Sequence, residues 1–385
     1  MRDHILKVVD AHLDEIFEIT KFMYENPELG NQEFKACQAL CDAFKKHGFE
    51  VEREFCGIPT AFKASYDSGK PGPTIGFCAE YDALPGVGHG CGHNLISTSA
   101  LLGAIALKSV LGEIGGKVEV YGTPAEETDG AKAAMADQNA FSGCSVVLMA
   151  HPAAIPETSG SSMCLLPITF RFYGKAAHAS ACPEEGINAL DAVIQLYNGI
   201  NAIRQHVTND TQFHGVITKG GVAPNIVPDF AEAQFHCRAK KKATAEIGLE
   251  KMIKIAEGAA LMTGTRMEHV AHEAAYYDLT TNQALCEVFV KHQREMGENV
   301  RPAGKGNGSL DLGNVSYQAP CVHGWFGFED PDLVVHSKEF ADRTVTEDGR
   351  QMLKRSAATM ALTGMDVITD PELLKNILLE FESIQ

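Results

Sequence analysis

The segment "HGCGHN", His89 to Asn94, sets a cysteine between two histidines with a glycine on either side of it. Thiolate and imidazole both ligate zinc and metals of similar softness. A thiol beside an imidazole can equally serve as nucleophile and base. A spacing of two points Cys91 and His93 the same way if the backbone is extended. A buried cysteine beside a turn histidine explains the same residues without chemistry, so the segment must be read with others.

Three other places supply carboxylate and imidazole. In "TPAEETDG", Glu126 and Glu127 adjoin after an apolar run. Neighbouring carboxylates repel unless a cation or separate environments accommodate them. In extended backbone they diverge, so one can bind metal while the other faces substrate; a solvated acidic loop is the plain alternative. His151 ends the apolar run of "VVLMAHPAA", where a buried ring needs a partner, and His336 follows the strand-like "LVV". Cys91, His93, Glu127, His151 and His336 make five ligands. That exceeds what one zinc takes from a protein and suits two metals sharing a bridging group, with Cys91 as the bridge.

Elements that could position these groups alternate along the first 165 residues. Helical spacing runs through "MRDHILKVVDAHLDEIFEITKFM" and again up to Gly48, a left-handed cap position, after which a strand is expected. Strand-like "PTIGFCAEYD", helix-like "LISTSALLGAIALKSVL", strand-like "KVEVYG", helix-like "GAKAAMADQNAF" and strand-like "CSVVLMAHP" then follow. This rhythm predicts an α/β fold, a mostly parallel sheet flanked by helices, with ligands gathering beyond the carboxyl ends of its strands. Residues 166–277 change to strand, helix, strand, strand, helix, strand, the order of a ferredoxin-like α+β unit inserted as a lid. The expected division is therefore a catalytic domain of residues 1–165 and 278–385 around a lid of 166–277.

Composition narrows the class. The chain has 385 residues, a formal net charge of −17 and 45% hydrophobic residues, which describes an acidic globular protein and excludes nucleic acid and anionic membrane as expected partners. Eleven scattered cysteines with no CxxC pair indicate neither a disulfide framework nor a zinc ribbon. A cytoplasmic location is expected. No apolar run of about 18 residues suggests a membrane span.

The motifs "AEYDALPGVGHGCGHN", "GTPAEE", "MAHPA", "GKAAHAS", "GGVAPNIVPD", "HCRA" and "HSKEF" occur in this order over nearly the whole chain. The sequence resembles the aminoacylase and carboxypeptidase G family of two-metal amidohydrolases and metallopeptidases. Within it, the chain is similar to the branch of hippurate hydrolase, auxin-conjugate hydrolases and aminobenzoyl-glutamate hydrolase. The resemblance implies two divalent ions, zinc first, with manganese, cobalt or nickel as alternatives. One would be held by Cys91, His93 and His151, the other by Cys91, Glu127 and His336. It implies Glu126 as general base and acid in hydrolysis of the amide of an N-acyl amino acid, aminobenzoyl-glutamate or small dipeptide. Asp82 is implied to orient the metal shell, although it also suits a turn before Leu84 and Pro85. His178 is implied to reach across a homodimer formed by the lid and stabilise the oxyanion, which would leave a monomer nearly inactive. Asn225 and Arg238 are implied to hold the substrate carboxylate, with Arg238 also able to form a structural ion pair, and Gly308 to add a backbone donor.

The chain departs from the commoner pattern of the branch at Glu80 and Asn94, where aspartate is usual, and so sides with the aminobenzoyl-glutamate hydrolase and dipeptidase members. Leu310 replaces a small polar residue, which leaves the pocket shape and the substrate open. His89 fits a structural or supporting role. Two rival readings stand: a cysteine hydrolase using Cys91 at the start of a helix, and a non-catalytic ligand-binding protein on the same scaffold, which would have no use for the proton carrier Glu126.

Overall fold

The computed structural model describes residues 1–306 and 308–384. Helix α1 (Arg2–Glu25) buries Ile5, Val9, Leu13, Ile16, Phe17, Thr20 and Met23 as one stripe, the period of an amphipathic helix. Helix α2 (Phe34–Lys46) stops where the spacing of its apolar residues says it should. Gly48 adopts φ +74°, and the amides of Phe49 and Gly48 donate to the carbonyls of Phe44 and Lys45, a Schellman cap. The expected strand follows as β1 (Glu50–Arg53), antiparallel to β2 (Phe62–Asp67).

The next elements are β3 (Thr74–Ala79), α3 (His93–Ile114), β4 (Lys117–Gly122), α4 (Ala131–Asp137) and β5 (Val146–Ala153). After β5 come β6 (Cys164–Tyr173), α5 (Ala189–Ile203), β7 (Gln212–Lys219), β8 (Phe230–Ala239), α6 (Lys242–Thr263) and β9 (Arg266–Val270). The chain closes with α7 (Gln283–Glu295), α8 (Leu312–Val315), β10 (Cys321–Gly327), α9 (Lys338–Arg343), α10 (Glu347–Thr369) and α11 (Pro371–Ile384).

These elements form two compact units. The first comprises Met1–Ser161, Leu279–Gly306 and Asp311–Gln385, the second Ser162–Asp278 and Asn307–Leu310. In the first unit the sheet order is β1-β2-β4-β3-β5-β10, with β4, β3, β5 and β10 mutually parallel and β1 and β2 antiparallel at one edge. β3 and β5 are buried almost throughout, as central parallel strands covered on both faces must be.

Helix α3 packs on this sheet and against α1 and α10. It is long and apolar enough to cross a membrane by length and composition, contrary to the expectation that no such run exists, but 83% of its apolar window is buried inside the fold. A core helix covered by a sheet and two other helices has the same composition as a span.

The second unit is an antiparallel sheet of order β7-β8-β6-β9 in the β-α-β-β-α-β order of a ferredoxin-like fold. Along β8, Ala231, Ala233, Phe235, Cys237 and Ala239 are buried in the core shared with α5 and α6. The alternate residues Glu232, Gln234, His236 and Arg238 therefore line the opposite, helix-free face. The Asn188 side chain caps α5 by accepting from the amides of Leu190 and Asp191.

The expected strand at "LVVH" is not formed. Residues 333 and 334 are irregular and 335–336 form a turn, Val334 is 66% exposed, and Ser337 caps α9 by accepting from the Phe340 amide. The cap claims the backbone that a strand would have used. Helix α4 also ends at Asp137, short of the expected Phe141.

Phe77, in the middle of β3, is fully buried in the first unit's core. Phe77→Ala is expected to cost about 3–5 kcal/mol in chemical denaturation, through lost burial and the cavity left behind. A loss under about 1 kcal/mol would contradict this packing.

Candidate active site

The carboxyl ends of three parallel strands feed one cluster. β3 runs on into Glu80, Tyr81 and Asp82, and the Tyr81 hydroxyl anchors this exit by donating to the Thr60 carbonyl at 2.6 Å. The chain then reaches His89–His93 and turns into α3 at Gly92, whose φ is +78° and whose added Cβ would stand 2.8 Å from Pro152 Cγ. Only glycine fits both demands. Cys91 and His93 therefore come together through a left-handed turn, not the extended backbone their spacing suggested.

His151 sits near the end of β5 with its Nδ1 2.7 Å from the Pro152 carbonyl. A carbonyl only accepts, so Nδ1 carries the proton and the Nε2 lone pair faces Cys91 Sγ, 3.6 Å away. His93 is set the same way. Its Nδ1 lies 2.9 Å from Asp82 Oδ1 and 3.0 Å from the Asp82 carbonyl, which presents Nε2 to the cluster. Asp82 Oδ2 also accepts the Glu127 amide at 3.0 Å, so one carboxylate orients two of the five ligand positions expected from the sequence. Burial works to raise the Asp82 carboxyl, but the His93 charge and hydrogen bond outweigh it and hold the pKa at about 2.

Glu126 and Glu127 lie in a turn entered through Ala125, which takes φ +59°. Glu33, fully buried, fixes that backbone by accepting the Ala125 amide at 2.9 Å while receiving the Thr60 hydroxyl at 2.9 Å. Because this is a turn, the two glutamates do not diverge as expected. Ligating atoms of His93, Glu126 and Glu127 lie within 4.8 Å of one another.

His336, at φ +67°, is held by its amide donating to the Gly90 carbonyl at 2.8 Å. Its Nε2 is 3.1 Å from Glu127 Oε1. Two triads result, Cys91–His93–His151 and Cys91–Glu127–His336, each with its ligating atoms within 4.8 Å of one another. The structure thus gathers all five side chains, with Cys91 common to both triads. His93 Nε2, Glu127 Oε1 and Glu80 Oε2 are buried without a well-aligned hydrogen bond, although Glu80 Oε2 is 3.3 Å from His93 Nε2 and Glu127 Oε1 is 3.1 Å from His336 Nε2. Such convergent ligating atoms are what a cation site looks like from the protein side.

Beneath the cluster lies a feature not foreseen from the sequence. Lys132, on α4, is fully buried, with Nζ 2.6 Å from both Glu80 Oε1 and Asp311 Oδ1. Its backbone amide donates to Asp311 Oδ2 at 3.1 Å. Burial disfavours the ammonium, but the Asp311 and Glu80 charges overcome this and raise the Lys132 pKa well above its ordinary value. Burial, with the charges of Glu80 and Asp311, likewise pushes the Glu126 carboxyl well up. A lone lysine in the apolar "AKAAMAD" was the available signal. His89 is also buried, and burial followed by the charge of His93 holds its imidazole down at about 3.

The remaining expected residues lie on the second unit. His178 Nδ1 accepts from the amides of Ser180 at 3.3 Å and Ala181 at 3.2 Å, so the proton sits on Nε2, ready to be donated. Its loop joins that of Asn225, whose carbonyl accepts the Ala179 amide. Arg238 donates to Ser309 Oγ at 3.0 Å while its Nε is buried and unpartnered. The Gly308 carbonyl accepts the Met163 amide at 2.8 Å.

The α/β unit, the ferredoxin-like unit and a cluster of imidazole, thiol and carboxylates describe a hydrolase of the metallopeptidase type. Residues 165–262 match the family described as a peptidase dimerisation domain. The chain is 32% identical to the Xaa-Arg dipeptidase of Mus musculus, over 97% of this chain and 90% of that protein. It is 35% identical to a p-aminobenzoyl-glutamate hydrolase polypeptide of Escherichia coli, over 68% of this chain and 58% of that protein. A dinuclear metal-binding peptidase of Bacillus subtilis superimposes with a TM-score of 0.65 at 19% identity, covering 92% of this chain and 99% of that one. The chain belongs to the M20 peptidase family and is an enzyme of the peptidase and amidohydrolase class.

Replacing Lys132 by methionine keeps its length and removes the charge that Glu80 and Asp311 share. Stability is expected to fall by about 3–5 kcal/mol, the cost of leaving buried charges uncompensated. Thermal or chemical denaturation checks this, and an unchanged midpoint would show that the triad does not balance charge.

Proposed function

We propose that the protein is a metal-dependent amidohydrolase that cleaves the amide of an N-acyl amino acid, aminobenzoyl-glutamate or a small dipeptide. The observation that carries this reading is the pair of triads sharing Cys91, with ligating atoms of His93 and Glu127 that are buried and lack a well-aligned hydrogen bond. The activities for which the relatives are named, Xaa-Arg dipeptidase and p-aminobenzoyl-glutamate hydrolase, both break an amide next to an amino acid.

In this reading Cys91, His93 and His151 hold one divalent ion, and Cys91, Glu127 and His336 hold the other. A sulfur, nitrogen and oxygen donor set suits zinc first, with manganese, cobalt or nickel as alternatives. Bound there, the ions would polarise the amide carbonyl and acidify water. Asp82 holds the His93 tautomer and the Glu127 backbone. Glu126 takes the proton of the attacking water and delivers it to the leaving amine; burial, with the charges of Glu80 and Asp311, raises its carboxyl above the ordinary range, which favours holding the proton between the two transfers.

The substrate-facing roles fall to the second unit. His178 donates from Nε2 to the oxyanion, Arg238 and Asn225 hold the carboxylate, and Gly308 adds a backbone donor. We also propose a homodimer through this unit, with His178 acting in the partner's site. The dimerisation-domain match supports this, as does β7, an edge strand that leaves Val216 and Ile217 exposed.

Burial pushes the Cys91 thiol up to about 12 despite the opposing charge of His93, so without a cation the thiolate that a cysteine hydrolase requires is disfavoured, whereas divalent ions bound at the triads would stabilise it as a ligand. Glu126→Ala is expected to lower kcat at least about 10²-fold on Xaa-Arg dipeptides, aminobenzoyl-glutamate or N-acyl amino acids, while the variant keeps the wild-type metal content. A wild-type rate in the variant would refute the mechanism.

A further inference from the structure

A second gathering of ligating side chains lies on the second unit, on the face of its sheet that the helices leave open. His236 on β8 stands opposite His214 on β7 in the strand register, and their rings meet edge to face with centroids 5.4 Å apart. His272, in the segment leaving β9, stacks on His236 at 5.5 Å and 8°. Glu273 Oε1 is 2.7 Å from His236 Nε2. The ligating atoms of His236, His272 and Glu273 lie within 4.8 Å of one another. A depression of about 340 Å³ lined by His214, Val216, Gln234, His236 and His272 opens beside them.

A hydrogen bond between His236 Nε2 and Glu273 accounts for one ring and leaves the convergence of the others unexplained. Three imidazoles packed face and edge repel if all are charged. Burial, with the charge of Arg238, keeps His214 below its ordinary pKa. Burial, with Arg238 and His272 opposing Glu273, does the same for His236. His272 also has the supporting contact that metal-binding imidazoles carry: its Nδ1 is 3.1 Å from Thr169 Oγ1, and Thr169 is buried on β6.

We propose that His236, His272 and Glu273, with His214 as fourth donor, form a binding site for one divalent transition cation on the second unit, separate from the Cys91 cluster. Imidazole-rich donors with one carboxylate select zinc, nickel or cobalt over calcium or magnesium. A bound ion would tie β8 and β7 to the segment leaving β9 and stabilise the unit by mass action.

The test uses the full chain, stripped with chelator, loaded with zinc chloride, freed of excess and assayed for metal by mass spectrometry. The His236→Ala, His272→Ala double variant is expected to lose one zinc equivalent relative to wild type. A His93→Ala, His336→Ala double variant is expected to keep that equivalent, so failure at the Cys91 cluster and failure here are read separately. Thr169→Val, which preserves side-chain shape, is expected to weaken the same equivalent about 10–100-fold and covers the case of a double variant that fails to fold. Wild-type zinc content and affinity in the folded His236, His272 variant, or in Thr169→Val, would overturn the proposal.

Discussion

The constraint on which the site depends is buried negative charge. The buried Glu80, Asp82 and Asp311 and the half-buried Glu126 and Glu127 crowd into one region of the first unit, opposed by the ammonium of Lys132 and the imidazole of His93. Carboxylates removed from water must be paired, protonated or bound to a cation. Asp82 is paired, and Glu80 and Asp311 share Lys132. Glu126 moves toward its protonated form, and Glu127 directs Oε1 into the space it shares with Cys91 and His336, 3.1 Å from His336 Nε2. Divalent ions at the two triads would remove the imbalance, and the same ions would supply the chemistry proposed for the site.

The fold delivers this arrangement because the parallel sheet aims its strand exits at one place. β3 leads to Glu80 and Asp82, β4 to the Glu126 turn, and β5 carries His151 near its end, while the start of α3 supplies His93. Three backbone positions that place ligands, Gly92, Ala125 and His336, adopt positive φ. Glu33 holds the Ala125 turn and the Gly90 carbonyl holds His336. These contacts fix conformations that the two non-glycine residues would otherwise disfavour.

Much of this was legible in the sequence. The alternation of periods foretold the parallel sheet, and the strand-helix-strand-strand-helix-strand order foretold the ferredoxin-like unit, because period and order are local properties. The residue types that converge could be named because imidazole, thiol and paired carboxylates after apolar runs are uncommon. The local geometry was less legible: Cys91 and His93 meet through a turn, and His336 lies in a helix-capping loop, because a cap and a strand share the same apolar run. Lys132, Asp311 and Glu33 escaped notice because a single charge in a helix or loop looks the same whether solvent or another charge faces it. The histidines of the second unit were invisible for a related reason, since strand register brings His214 to His236 and nothing near either residue announces it.

Anomalous diffraction at the zinc edge from crystals of the zinc-loaded protein measures the central claim most directly. Two anomalous peaks that share Cys91 Sγ are expected in the first unit, one also contacting His93 and His151 and the other Glu127 and His336. A single peak there, or peaks that leave Cys91 out of contact, would contradict the two-metal site.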